Sequence, residues 1–160
     1  MYIMGENPLM SEPDLNHARH ALSKLQFLAV QDIFLTETAL LADVILPAAS
    51  FAEKDGTFTN TERRVQLVRK ALQPPGTARQ DWQIIADIAT RLGYSMQYES
   101  SAAIMEEIAE LTPIYGGMLH SRLGRAGGLQ WPCWDDTHAG TPRLHEDRFT
   151  RGKGKFHAVP

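Results

Sequence analysis

The run Ala39-Leu40-Leu41-Ala42-Asp43-Val44-Ile45-Leu46-Pro47-Ala48-Ala49, followed at once by Glu53-Lys54-Asp55-Gly56-Thr57-Phe58-Thr59-Asn60, constrains the fold more than any other stretch. Val44-Ile45-Leu46 has the composition of a buried strand, and Pro47, which has no N–H to donate, stops it. Gly56 then opens a polar loop. Ligands of parallel α/β sheets sit beyond the carboxyl ends of the strands, so strand, stop and polar loop in that order predict a binding rim.

The residues before this run repeat the plan. Tyr2-Ile3-Met4 reads as a short strand, and Gly5-Glu6-Asn7-Pro8 as a tight loop in which Pro8 biases Asn7 away from helical angles. Ser11-Glu12-Pro13-Asp14 starts a helix whose apolar positions Leu15, Ala18, Leu22 and Leu25 recur at helical spacing. Phe27-Leu28-Ala29-Val30 is continuously apolar, as a strand covered on both faces is, and ends in Gln31-Asp32. Thr36 or Thr38 caps a short helix through Leu41 before the third strand. The rhythm is βαβαβ, which predicts an α/β fold with a Rossmann-like parallel sheet flanked by helices.

Beyond this the pattern weakens. Phe51–Gln66 shows no clean period and is expected as a polar loop, with a short strand at Val65–Val68. After the break at Pro74-Pro75-Gly76, a helix begins at Asp81, carries Trp82, Ile85, Ile88, Ala89 and Leu92 on one face, and stops at Gly93. A second helix runs from about Ser100 to Leu111, and residues 116–160, rich in Gly and Pro, are expected as an irregular extension. Both ends read as cut, so the sequence is expected to be a piece of something larger.

Composition excludes several function classes. A formal net charge of -3 gives no general pull toward nucleic acid or an anionic membrane. No apolar run approaches the roughly 20 residues that cross a bilayer, and the amino terminus lacks the plan of a secretion signal. Cys133, the single cysteine, rules out an internal disulfide or a cysteine-based metal or iron–sulfur motif within this sequence. A cytoplasmic protein is the expectation.

Three polar groups sit where strands end: Asn7, Gln31-Asp32 and Glu53-Lys54-Asp55. If the strands are parallel neighbours, these loops share one edge of the sheet. Carboxylates there accept from ribose hydroxyls or a base edge, and Lys54 is a cation for a phosphate. The competing reading is loops bearing solvated charge. Neither G-x-G-x-x-G nor the phosphate loop G-x-x-x-x-G-K-[ST] occurs. His17 and His20 have ligand spacing but no companion, Cys133 reads as a packed thiol, and Arg63-Arg64 as a surface pair.

Taken together, Gly5-Glu6-Asn7-Pro8, Gln31 to Ala39, Ala42 to Pro47, Glu53 to Asn60, Arg64-Val65-Gln66 and Asp81-Trp82 resemble the catalytic subunits of molybdenum or tungsten oxidoreductases that use a bis-molybdopterin guanine dinucleotide. Gln130-Trp131-Pro132-Cys133 makes the sequence most similar, within that family, to formate dehydrogenases. The resemblance implies a cofactor-binding domain over 1–115, an irregular extension over 116–148 and the start of a β-barrel domain at 149–160. It implies that Gly5, Asn7, Gln31, Asp32, Lys54 and Asp81 contact the guanosine and diphosphate arm of one molybdopterin guanine dinucleotide.

It implies no catalytic residue and no metal ligand in this sequence, since the iron–sulfur cysteines and the metal ligand of such subunits lie elsewhere. The implied partners are the remaining domains of the catalytic subunit and electron-transfer subunits. Two alternatives of other classes stand beside this: a structural module like that in the large iron–sulfur subunit of NADH dehydrogenase, which shares a version of the Glu-Lys-Asp-Gly-Thr loop, and a free-standing cofactor-binding protein.

Overall fold

A computed structural model describes residues 1–159, which form two compact units. The first comprises 1–56 and 68–101, the second 57–67 and the residues from 102 onward.

The first unit is built on a parallel sheet of order β1-β2-β3, with β1 Tyr2–Met4, β2 Ala29–Asp32 and β3 Val44–Pro47. Met4 stands opposite Gln31, and Asp32 opposite Pro47, so the three strands end at one rim. Between β1 and β2 lie α1, Pro8–Ser11, and α2, Leu15–Ser23. Pro8 occupies the start of α1, where a missing N–H costs nothing, so the tight loop over residues 5–7 runs straight into one helical turn. Asp14 caps α2 by accepting from the His17 amide at 3.0 Å.

Alternation along the strands sorts the side chains to two faces. Ile3, Leu28 and Val30 join Leu9, Leu22 and Ala39 in one core, each such side chain contributing about 1.5–3 kcal/mol on full burial if large. Gln31 and Tyr2 fall on the opposite face, where Gln31 reaches Asp81 at the head of α3, Asp81–Arg91. The sheet is thus flanked by helices on both faces, as the βαβαβ rhythm predicts. The inward face of α3 is not the expected one, however. Ile84 and Ala86 are buried, whereas Ile85 is 38% and Leu92 82% exposed. Ile85, Ile88 and Leu92 line an open apolar groove with Met1, Tyr2 and Phe27.

The second unit contains a sheet of order β4-β5-β6, with β4 Gly56–Thr59, β5 Arg64–Val68 and β6 Leu129–Gln130. The stretch expected as a polar loop from 51 to 66 is therefore largely a hairpin. Its turn is fixed by Asn60, whose Oδ1 accepts the amides of Glu62 and Arg64. Helices α4, Ser101–Leu111, and α5, His120–Ala126, complete the unit. Val65, Met105, Met118, Leu123, Leu129 and Cys133 form one core. That shared core is why the hairpin and α4 pack with the C-terminal residues.

The C-terminal stretch is less irregular than its composition suggests. Arg63 donates to the carbonyls of Trp131, Thr141 (3.0 Å) and Pro142 (3.1 Å), with its guanidinium 5.5 Å from the Trp131 ring centre. Arg122 similarly gathers the carbonyls of Gly117, Asp135 and His138. Arg63 is thus committed to the backbone of its unit, not one of a solvated surface pair.

Candidate functional site

The rim of the parallel sheet owes its shape first to Gly5. Its φ of 61° is a left-handed angle that glycine adopts without strain, and its amide donates to the Gln31 carbonyl at 2.9 Å. Apart from Gly5 itself and its two chain neighbours, no atom lies within 4 Å of where a Cβ would stand, so the space over Gly5 is open. At Gly56 the surroundings are equally open.

A chain of polar groups runs along one side of this rim. The Tyr2 hydroxyl donates to Oε1 of Gln31, Nε2 of Gln31 donates to Oδ1 of Asp81 at 2.8 Å, and Lys54 donates to Oδ2 of Asp81. Gln31 is fully buried within the central strand, not in the loop after it. It is thus a support for Asp81 more than a group facing solvent. Asp81 lies in the first turn of α3, where the helix dipole favours a carboxylate. The Lys54 and Asp81 side chains keep 25% and 29% of their surface exposed, so the pair remains reachable from outside.

Lys54 is singled out from its neighbours by what they do. Glu53 closes a capping box on Ser50, its carboxylate accepting the Ser50 amide at 2.9 Å. Asp55 accepts the Lys70 amide at 3.0 Å. Of the Glu53-Lys54-Asp55 triplet, Lys54 alone joins the Gln31–Asp81 chain.

A second cluster surrounds Asn7. Its Oδ1 accepts from the Thr38 hydroxyl at 2.7 Å and the Thr38 amide at 3.3 Å, while Nδ2 donates to Glu37 at 2.7 Å. That last bond is the main reason the Glu37 carboxyl titrates below its ordinary range. Thr38 is fully buried, and its Oγ1 also accepts the Leu9 amide. Asp32, at the end of β2, spends Oδ1 on the Phe34 amide at 3.1 Å. Its Oδ2 has no partner among the described residues.

The structure therefore joins Gln31, Lys54 and Asp81 directly, and ties Gly5 to Gln31 through the backbone. Asn7, on the loop after β1, and Asp32, the last residue of β2, lie at the same rim, each with its own partners. Tyr2, Glu37 and Thr38 were missed in the sequence. Alternation classes Tyr2 as an apolar strand residue, Thr38 is expected only as an alternative to Thr36 as a helix cap, and Glu37 stands only within the run Gln31 to Ala39. Burial raises the Tyr2 phenol above its ordinary pKa, with the Asp81 charge adding to the effect.

Chemically, the rim offers carboxylate acceptors on Asp32 and Asp81 and spare ammonium donors on Lys54. Such a set takes a ligand with N–H or O–H donors at one end and an anion at the other. The open space at Gly5 and the unused oxygen of Asp32 fit a nucleotide-like group. No cluster of three or more His, Cys, Asp or Glu side chains suited to a metal occurs among the described residues. His17 and His20 lie along α2, and Cys133 is fully buried in the second core. No described helix is long and apolar enough to cross a membrane.

Both the sequence and the fold are similar to those of known proteins. The chain is 56% identical, over 99% of its length, to the F420-dependent formate dehydrogenase subunit alpha of Methanocaldococcus jannaschii, of which it covers 24%. It is 46% identical over its whole length to the probable oxidoreductase YjgC of Bacillus subtilis, covering 16% of that protein. The chain thus spans about a quarter or less of these relatives. Among solved structures, acetylene hydratase from Pelobacter acetylenicus shares the fold, with a TM-score of 0.63 and 21% identity over 81% of this chain and 17% of that one. The family described as molybdopterin oxidoreductase matches residues 1–91, more than half of the sequence, and the chain belongs to that family.

Proposed function

We propose that this chain is the part of a formate dehydrogenase catalytic subunit that holds the guanosine-diphosphate arm of a molybdopterin guanine dinucleotide. The observation that carries this reading is the convergence of Gln31, Lys54 and Asp81, drawn from three segments, at the carboxyl rim of a parallel sheet. The formate dehydrogenase names of the M. jannaschii relative and its kin support the substrate.

In this reading Asp32 and Asp81 accept from the base edge or ribose hydroxyls. Lys54 and Asn7 donate toward the diphosphate, and Gly5 lets the backbone approach it. The bound pterin and its molybdenum or tungsten supply the two-electron chemistry that turns formate into carbon dioxide. What this chain does is position that group and set the charge around its nucleotide end. The iron–sulfur cluster, the remaining domains of the catalytic subunit and the electron-transfer subunits belong to the rest of a cytoplasmic enzyme.

Calorimetric titration of the chain with GDP and, in parallel, ADP tests the reading. Binding of GDP in preference to ADP is expected, weakened about tenfold or more by Asp32→Ala or Lys54→Ala, as loss of a charge-assisted hydrogen bond requires. Flat titrations at millimolar GDP, or equal binding of ADP, would overturn it.

A further inference from the structure

Asp81 is an acceptor only, so the Gln31 amide must turn its NH2 toward Asp81 and its carbonyl oxygen away. The opposite flip would set two oxygens against each other. Turned this way, Oε1 of the fully buried Gln31 needs a donor, and the Tyr2 hydroxyl is the side chain that provides one. Tyr2 is suited to this by its place in the fold. It begins the neighbouring strand on the same face, two residues before the position opposite Gln31, and its ring lies in the apolar groove with Phe27, Ala29 and Ile85.

We infer that Tyr2 is a positioning residue of the rim: its hydroxyl fixes the Gln31 amide, which in turn holds the Asp81 carboxylate in the orientation that it presents, with Lys54, to a nucleotide. This rests on the nucleotide-arm reading above for its consequence, although the hydrogen-bond relay itself is independent of any ligand. Tyr2 touches nothing that binds. It acts through Gln31, and Gln31 acts through Asp81. The arrangement needs the hydroxyl protonated, because a phenolate facing Oε1 would repel it.

Tyr2→Phe keeps the ring in its groove and deletes only the donor, so it separates the relay from simple packing. In the chain labelled with 15N and free of ligand, the two Gln31 side-chain amide protons are expected as distinct, slowly exchanging NMR signals. In Tyr2→Phe both signals exchange faster with solvent and move toward the positions of a free glutamine amide as χ3 begins to reorient, while slow C–N rotation keeps the two protons distinct. With GDP as the probe, Tyr2→Phe is expected to weaken binding about threefold to tenfold, the range of one net hydrogen bond. In a Gln31→Leu background the same substitution changes binding no further.

Gln31 signals unchanged by Tyr2→Phe overturn the role of Tyr2, whatever GDP does. An additive loss in the Gln31→Leu background also overturns it, since the two residues would then act separately. Failure of the unsubstituted chain to bind GDP overturns the nucleotide-arm reading instead, and the Gln31 signals then decide the relay alone.

Discussion

Lys54 and Asp81 form an ion pair across 27 positions of sequence, and the same carboxylate accepts the buried amide of Gln31 on its other oxygen. The two partners are therefore unequal. Lys54→Ala leaves Asp81 still bonded to Gln31 and still at the head of a helix, so the cost is that of one partly exposed pair, about 0.5–1 kcal/mol. Asp81→Ala strands both Lys54 and the NH2 of Gln31, a residue that is fully buried in the native fold. It is expected to cost about 1–3 kcal/mol, with the double variant close to Asp81→Ala alone. Urea denaturation of the four proteins measures this. Equal single effects would mean that charge attraction alone, and not the support of Gln31, is what Asp81 provides.

Thr38 is the fully buried hinge between two loops of the rim, donating to Asn7 and accepting from the Leu9 amide. Thr38→Val keeps its shape and removes both bonds, leaving Asn7 Oδ1 and the Leu9 N–H without that hydroxyl. A loss of about 1–3 kcal/mol is expected, whereas Thr38→Ser, which retains the hydroxyl, loses roughly one methyl group's burial, near 1 kcal/mol. Comparison of their denaturation midpoints is the check, and indistinguishable midpoints would show that the hydroxyl is not what holds Asn7.

The Asn7 bond also sets a pH response. The Glu37 carboxyl is held below its ordinary range first by the Asn7 side chain and then by its own backbone amide. A depressed folded-state pKa stabilises the fold above the ordinary carboxylate range, and that contribution disappears as pH falls through the folded-state value. Carboxyl NMR titration is expected to give Glu37 a midpoint below that of an unperturbed glutamate, and Asn7→Ala to return it most of the way. A midpoint unaffected by Asn7→Ala would assign the shift to the backbone instead.

Those residues also mark where the sequence was legible. The parallel βαβαβ frame could be read because Val30 and Ile45 sit in short apolar runs punctuated by Gly5, Asp32 and Pro47, and each of those features is local. Lys54 is legible as a cation in the loop after a strand, but Asp81 enters the site only through the family resemblance, since nothing local brings residues 54 and 81 together. Tyr2 escaped notice because strand alternation classes it as apolar, and its hydroxyl matters only once Gln31 is known to be buried. In the hairpin from Gly56 to Val68 the second strand is legible as the apolar residues of Val65–Val68, but the first strand and the turn are not, for a related reason. Its turn depends on Asn60 side-chain bonds and its third strand, at Leu129–Gln130, arrives from some 60 residues further on. On α3 the apolar stripe was read correctly as a stripe, but the rule that apolar faces turn inward failed for Ile85 and Leu92.

Arg63 offers the sharpest test of how the second unit is held. One planar guanidinium serves the carbonyls of Trp131, Thr141 and Pro142 while lying against the Trp131 ring. Arg63→Lys preserves charge and length but replaces the fork with a point donor, which cannot reach three carbonyls from one place. Two of the three bonds are then lost, for an expected cost of about 1–3 kcal/mol. Hydrogen exchange should localise it. Thr141 donates its amide to the Gln130 carbonyl at 2.9 Å, and Trp131 donates to the Arg63 carbonyl at 3.2 Å, so peptides covering 129–142 are expected to exchange faster in the variant. Uniformly faster exchange along the whole chain would instead mean a global loss of stability, and unchanged exchange would mean that the backbone pairing of β5 with β6 holds this segment without the guanidinium.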